Sequence, residues 1–281
     1  MQYHPRERDS TYLLANRFRR LAWLEWGDPA APALVCVHGL TRNAHDFDVI
    51  AAELADRFHV VAPDLPGRGR SDWLEDPALY TPLSYVVALA HLLARLDGPV
   101  CWLGTSLGGI CGMLLASAPG SPIARLVLND VGGLIPAEAV ARIGDYLRAA
   151  PDSFADTAAL EAELRRVHAP FGRLSDAAWA AMARHSARAL PDGRVASHYD
   201  PALRAPFLAG GAQEVDLWPF WSALSLPRLV IRGAESDLLD ESTYARMLAD
   251  GAQGLLVPDA GHAPALQDAP SIAAIRDFLT R

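Results

Sequence analysis

Ser106 stands in Gly104-Thr105-Ser106-Leu107-Gly108-Gly109, behind the unbroken apolar run Val100-Cys101-Trp102-Leu103 and ahead of a helical stretch over 107–118. A G-x-S-x-G spacing between a buried strand and a helix is that of a nucleophile held on a sharp turn. Glycines two residues before and after the serine let strand and helix approach closely. The helix starting behind the serine aims unpaired N–H groups at any oxyanion that forms there. The stretch lacks the lysine and the glycine spacing of a phosphate-binding loop. A serine hydroxyl is a weak nucleophile near neutral pH; it needs an imidazole to accept its proton and a carboxylate to orient that imidazole. The chemistry so predicted is acyl transfer.

Nine histidines compete for the role of base. His262 lies in Asp259-Ala260-Gly261-His262-Ala263-Pro264, a loop shaped by glycine and proline between the last strand and the final helix. His38 reads as support for the loop that contains it, and His45 is close enough to that loop to line a pocket. Two carboxylates follow strands and satisfy the order Ser, Asp, His. One is Asp237, in Arg232-Gly233-Ala234-Glu235-Ser236-Asp237; the other is Asp130, closing Leu126-Val127-Leu128-Asn129-Asp130. Asp130 has an equally good alternative duty, hydrogen bonding in the loop that leads onward.

The elements that position these residues follow from periodicity. Apolar runs over 11–15 and 18–26 read as a hairpin turning at Asn16-Arg17. Short continuous apolar runs at 33–37, 58–62, 100–103 and 123–128 read as strands buried on both faces, with helices over 47–58, 82–96 and 107–118 between them. Alternation at this spacing predicts a mostly parallel sheet with right-handed crossovers. It stops after Val131. Alanine supplies 17 of the 53 residues from 137 to 189, and segments 137–150, 156–168 and 175–189 read as helices. The strand–helix pattern resumes with strands at 227–232 and 255–257 and helices at 241–249 and 271–279. The expected organisation is one α/β core, residues 1–130 and 214–281, interrupted by a helical insertion, residues 131–213. In the run Asp216-Leu217-Trp218-Pro219-Phe220-Trp221, Trp218 is placed against the pocket wall.

Composition narrows the function classes. The 281 residues are 51% hydrophobic, which excludes intrinsic disorder, and a formal charge of −8 argues against nucleic acid or an anionic membrane as partner. No eighteen apolar residues run together, and residues 1–9 hold no apolar signal-type run. A cytoplasmic monomer or homodimer acting on a small molecule is the expectation. Cys36, Cys101 and Cys111 are odd in number, sit in apolar surroundings, and fit neither a disulfide framework nor a zinc site.

In these motifs and their order, over nearly its whole length, the chain resembles the α/β-hydrolase fold superfamily, in its cap-bearing esterase, lipase and C–C hydrolase branch. The resemblance implies a mostly parallel central sheet flanked by helices, with the insertion as a cap carrying specificity. It makes His262 the base and favours Asp237 over Asp130 as its acid, giving a Ser106–His262–Asp237 triad. It places an oxyanion loop at His38-Gly39-Leu40, with the N–H groups of Leu40 and Leu107 as donors and Gly39 beside the substrate. Asp64-Leu65-Pro66-Gly67-Arg68-Gly69-Arg70-Ser71 resembles the family's loop after the fourth strand, with a structural duty. A serine nucleophile departs from the dehalogenase and epoxide-hydrolase patterns. No metal, nucleotide or flavin is implied. The expected activity is hydrolysis of small or medium carboxylic esters through an acyl-enzyme, with short hydroxyalkanoate oligomers among the candidates. Two alternatives stand beside it. C–C hydrolysis of ring-cleavage products is weakened by Thr105, where that branch usually carries Asn; a non-enzymatic binding protein would have no need of all three triad groups. Cap arginines, Arg142 among them, are available to meet a substrate carboxylate.

Overall fold

The structure, a computed structural model, describes residues 4–208 and 212–281; the first three residues of the 1–9 stretch and residues 209–211 of the expected insertion lie outside it. The chain opens with the hairpin β1 (Arg6–Leu14) and β2 (Arg17–Trp26). Its turn is one residue earlier than the sequence suggests, at Ala15 and Asn16, both with positive φ (50° and 59°) as a tight hairpin requires. Then follow β3 (Ala33–Val37), α1 (Asp48–Leu54), β4 (His59–Pro63), α2 (Pro82–Leu93), β5 (Val100–Thr105), α3 (Leu107–Ala116) and β6 (Ile123–Asn129).

After β6 the chain leaves the sheet. The inserted stretch holds β7 (Leu134–Ile135), α4 (Ala137–Ala149), α5 (Thr157–Val167), α6 (Asp176–Ser186), β8 (Ala187–Ala189), β9 (Val195–Ser197) and α7 (Ala205–Leu208). Asp156 and Ser175 cap α5 and α6 by accepting backbone N–H groups two residues into each helix. The third predicted helix ends three residues early, because 187–189 pair antiparallel with 195–197 across a turn in which Gly193 has φ +85°. There the ladder prevails over the helix propensity of alanine. The insertion buries its own small cluster, Leu160, Leu164 and Ala183. Strand β10 (Val215–Asp216) pairs with β7 and brings exit and return together. The rest is α8 (Trp218–Ser222), β11 (Arg228–Gly233), α9 (Glu241–Ala249), β12 (Gln253–Val257) and α10 (Ala269–Thr280).

Eight strands form one sheet in the order β1-β2-β4-β3-β5-β6-β11-β12. The β1–β2 and β2–β4 pairs are antiparallel and all others parallel. Both faces are covered: Leu34, Cys36, Leu103 and Val127 pack on one side, and Val35, Val37, Trp102 and Leu126 on the other. That is why these strands read as unbroken apolar runs. The three cysteines are free packing residues, and burial pushes the Cys111 thiol up to about 12.

The close approach of α3 to the sheet has a single-atom measure. A Cβ on Gly108 would lie 2.0 Å from the Val37 carbonyl oxygen, and one on Gly104 would lie 2.3 Å from the Gly108 oxygen. Both neighbours are backbone and have little room to yield. Gly108→Ala is therefore expected to lower stability by about 3 kcal/mol or more in urea unfolding; a loss under about 0.5 kcal/mol would contradict this packing.

Candidate active site

Ser106 links the last residue of β5 to the first of α3 with φ 50° and ψ −112°. A non-glycine residue in this region is strained, and the strain is held by the glycine contacts behind it. The Ser106 N–H is tied to the Asn129 carbonyl at 2.9 Å. Its Oγ lies 3.0 Å from Nε2 of His262, and Nδ1 of His262 lies 2.8 Å from Oδ2 of Asp130.

Asp130 follows β6 directly, has φ 58° and is fully buried. Its carboxylate accepts four hydrogen bonds: the Gly233 N–H on Oδ1 (2.9 Å), and on Oδ2 the Ser236 hydroxyl (2.6 Å), His262 Nδ1 and the Ala263 N–H (3.2 Å). This donor set answers the lone pairs of a buried carboxylate and fixes its orientation. Asn129 donates to Thr105 Oγ1 (3.1 Å) and to the Pro264 carbonyl (2.9 Å), tying the ends of β5 and β6 to the histidine loop.

Three expected positions differ. Asp237 is not beside His262; its carboxylate is gripped by the guanidinium of Arg142 on α4, with Nη2 at 2.7 Å and Nε on the other oxygen. The reason lies in the strand order. β6 neighbours β5, so the residue ending β6 is one strand from the serine, whereas Asp237 is four residues beyond the end of β11. His45 does not line the cavity at Ser106; its Nδ1 meets the Asp48 carboxylate at 2.9 Å and its ring stacks on His185. Trp218 likewise turns away, with Arg246 over its ring at 3.6 Å and its indole in the space beside Gly133.

The His38-Gly39-Leu40 loop lies against Ser106. A Cβ on Gly39 would lie 3.9 Å from that of Ser106. The N–H of Leu40 makes none of the hydrogen bonds among the described residues, and Leu107 opens α3, where an N–H has no partner within the helix. Two buried side chains hold this loop. His38 Nε2 accepts the Leu65 N–H at 3.0 Å, which leaves Nδ1 to donate to the Gly39 carbonyl at 2.7 Å. Burial depresses the His38 imidazole to about 3, so it is neutral at neutral pH. Arg68, also fully buried, donates from Nε to the Leu40 carbonyl (2.8 Å) and lies over the Tyr85 ring at 4.7 Å. Its backbone bridges Tyr199 of the insertion. Sequence reasoning left Arg68 as a loop residue and passed over Ser236. Nothing local distinguishes a buried arginine from a solvated one.

A cavity of about 70 Å³ opens at Ser106. Its walls are Gly39, Leu40, Ser106 and His262 from the sheet side and Arg142, Ile143, Tyr146, His168 and Phe171 from the insertion. A second, of about 40 Å³, shares Thr41, Arg42, Tyr146, Val167 and His168 with it. Burial holds the His168 imidazole well below its usual range, so that side chain is neutral.

Residues 34–275 match the model of the alpha/beta hydrolase family. The chain belongs to this family. A 3-hydroxybutyrate-oligomer hydrolase of Cupriavidus necator is 44% identical to this α/β hydrolase over 275 residues, 93% of each chain. A lipase of Mycobacterium tuberculosis is 31% identical over 250 residues, covering 88% of this chain and 93% of the lipase. Among solved structures, an alpha/beta hydrolase from Novosphingobium aromaticivorans superposes with a TM-score of 0.87 at 35% identity, covering 99% of this chain and 98% of its own.

Two outcomes follow from the site. Asp130→Asn should lower kcat/KM on p-nitrophenyl butyrate by about a thousandfold or more, whereas Asp237→Asn lowers it less than tenfold; the opposite ranking would overturn the assignment. The neutral imidazoles of His38 and His168 bind fewer protons in the native state than in the unfolded chain below pH 6.5. Stability therefore falls as pH drops from 6.5 toward 3 on account of His38, by about 1.4 kcal/mol per pH unit, and His168 acts in the same direction. Urea midpoints at pH 7, 6 and 5 test this: His38→Gln should flatten the slope, and an unchanged slope would contradict the burial argument.

Proposed function

We propose that this α/β hydrolase is a serine esterase that cleaves short carboxylic esters through an acyl-enzyme, with 3-hydroxybutyrate oligomers as its substrate class. The observation that carries this reading is the unbroken hydrogen-bonded chain from Ser106 Oγ through His262 to the buried Asp130. His262 takes the serine proton at Nε2 as Oγ attacks the ester carbonyl carbon, and Asp130 holds Nδ1–H and stabilises the imidazolium. The carbonyl oxygen, now negative, is met by the N–H groups of Leu40 and Leu107, each donor contributing about 3 kcal/mol. His262 returns its proton to the leaving alkoxide, freeing the alcohol. Water then attacks the acyl-serine with the same groups, releasing the acid and restoring Ser106.

The cavity of about 70 Å³ beside Ser106 opens to solvent between the sheet and the insertion, so an ester can reach the serine from outside. Ester hydrolysis is the activity to which the relatives point, and the hydroxybutyrate class is drawn from the Cupriavidus necator relative. The helical insertion acts as a cap: it supplies about half the cavity wall over Ser106.

The expected result is release of 3-hydroxybutyrate from its dimer and trimer, followed by titration of liberated acid. A fluorophosphonate should add one adduct to the wild type and none to Ser106→Ala. Folded protein that neither forms the adduct nor releases acid would contradict the proposal.

A further inference from the structure

The pairing of Arg142 with Asp237 sits on the wall of the same cavity that holds Ser106, and it has no part in the triad. Resting on the ester-hydrolase reading, we propose that Arg142 recognises a free carboxylate on the substrate. Asp237 occupies that position until substrate arrives. The guanidinium is held in a fork on both carboxylate oxygens, the geometry in which arginine binds a carboxylate with the greatest directionality. An arginine on the insertion is thus already placed, at the rim of the reaction cavity, to hold an anionic group brought to it from outside α4.

Exchange of one carboxylate for another is easy here. The side chains of Arg142 and Asp237 are 42% and 52% exposed. Pairs this open to water contribute little net stability, so the internal carboxylate is a weak competitor. The other arginine lining the cavity, Arg42, is different in kind. Its side chain is 5% exposed and committed to Asp46 through Nε and Nη2, with Nη1 on Ser186. Removing that internal partner would strand a buried charge. His168 is neutral, and His262 is engaged between Ser106 and Asp130. Among the described residues lining the cavity, Arg142 is therefore the exchangeable cation. A chain of net charge −8 has particular need of one if its substrates are anions. The ligand class is a short ester with a free carboxylate at one end, as in hydroxyacid dimers and trimers.

The test compares each ester as free acid and with that carboxyl capped as an alkyl ester, in the wild type, Arg142→Gln and Asp237→Asn. Two pairs are used: 3-hydroxybutyrate dimer and its methyl ester, and monoethyl and diethyl glutarate. The wild type should prefer the free acid. Arg142→Gln should lower the acid-to-capped ratio of kcat/KM about tenfold, chiefly through KM, while Asp237→Asn raises it by lowering KM for the acid. Thermal midpoints establish that the variants fold. If the hydroxybutyrate pair is not turned over but the glutarates are, the substrate assignment fails and the glutarate ratio still decides the role of Arg142. A ratio unmoved by Arg142→Gln, or lowered by Asp237→Asn, overturns the inference.

Discussion

A carboxylate with no access to water must have its lone pairs answered by the protein, and that constraint at Asp130 organises the centre of the molecule. Its four donors come from β11, the loop after β11 and the histidine loop, while Asp130 itself directly follows β6 in a left-handed conformation. Asp and Asn tolerate that conformation better than most residues. The carboxylate thus fixes the ends of two adjacent strands and the loop carrying His262 against one another. A donor lost from this set leaves charge buried without compensation, so the same bonds that orient the imidazole also hold the sheet's C-terminal edge together.

The second half of the site is held by different means. The His38-Gly39-Leu40 loop is braced from below by a neutral His38 and from the side by Arg68, whose own backbone pairs with Tyr199. Further contacts run the same way: the Gly69 N–H donates to the His198 carbonyl, the Asp200 N–H to the Gly67 carbonyl, and the Tyr80 hydroxyl to Asp200 at 2.5 Å. The insertion is therefore joined to the loop behind Leu40 as well as lining the cavity at Ser106. Its seating and the placing of Leu40 are mechanically linked.

Much of this was legible in the sequence because it depends on local pattern. The doubly covered strands appear as apolar runs, the nucleophile turn as a fixed glycine spacing, and the histidine loop as glycine and proline around His262. The carboxylate that meets His262 was not legible. Asp130 and Asp237 share the same chain order and both follow strands, and only the adjacency of β5 and β6 in the sheet separates them. His45 and Trp218 failed for a related reason: proximity along the chain says nothing about side-chain direction, and each found a partner elsewhere, Asp48 with His185 for one and Arg246 for the other. The small β8–β9 hairpin was hidden by alanine, whose preference for helix is weak against a paired strand.

The central claim, that Asp130 and not Asp237 orients His262, can be read without any substrate. With nitrogen-15-labelled histidine, the Nδ1 proton of His262, shielded from exchange in its bond to Asp130, should give a proton resonance far downfield of the amides. That resonance should persist in Asp237→Asn and vanish in Asp130→Ala. Its loss in Asp237→Asn, with retention in Asp130→Ala, would contradict the account.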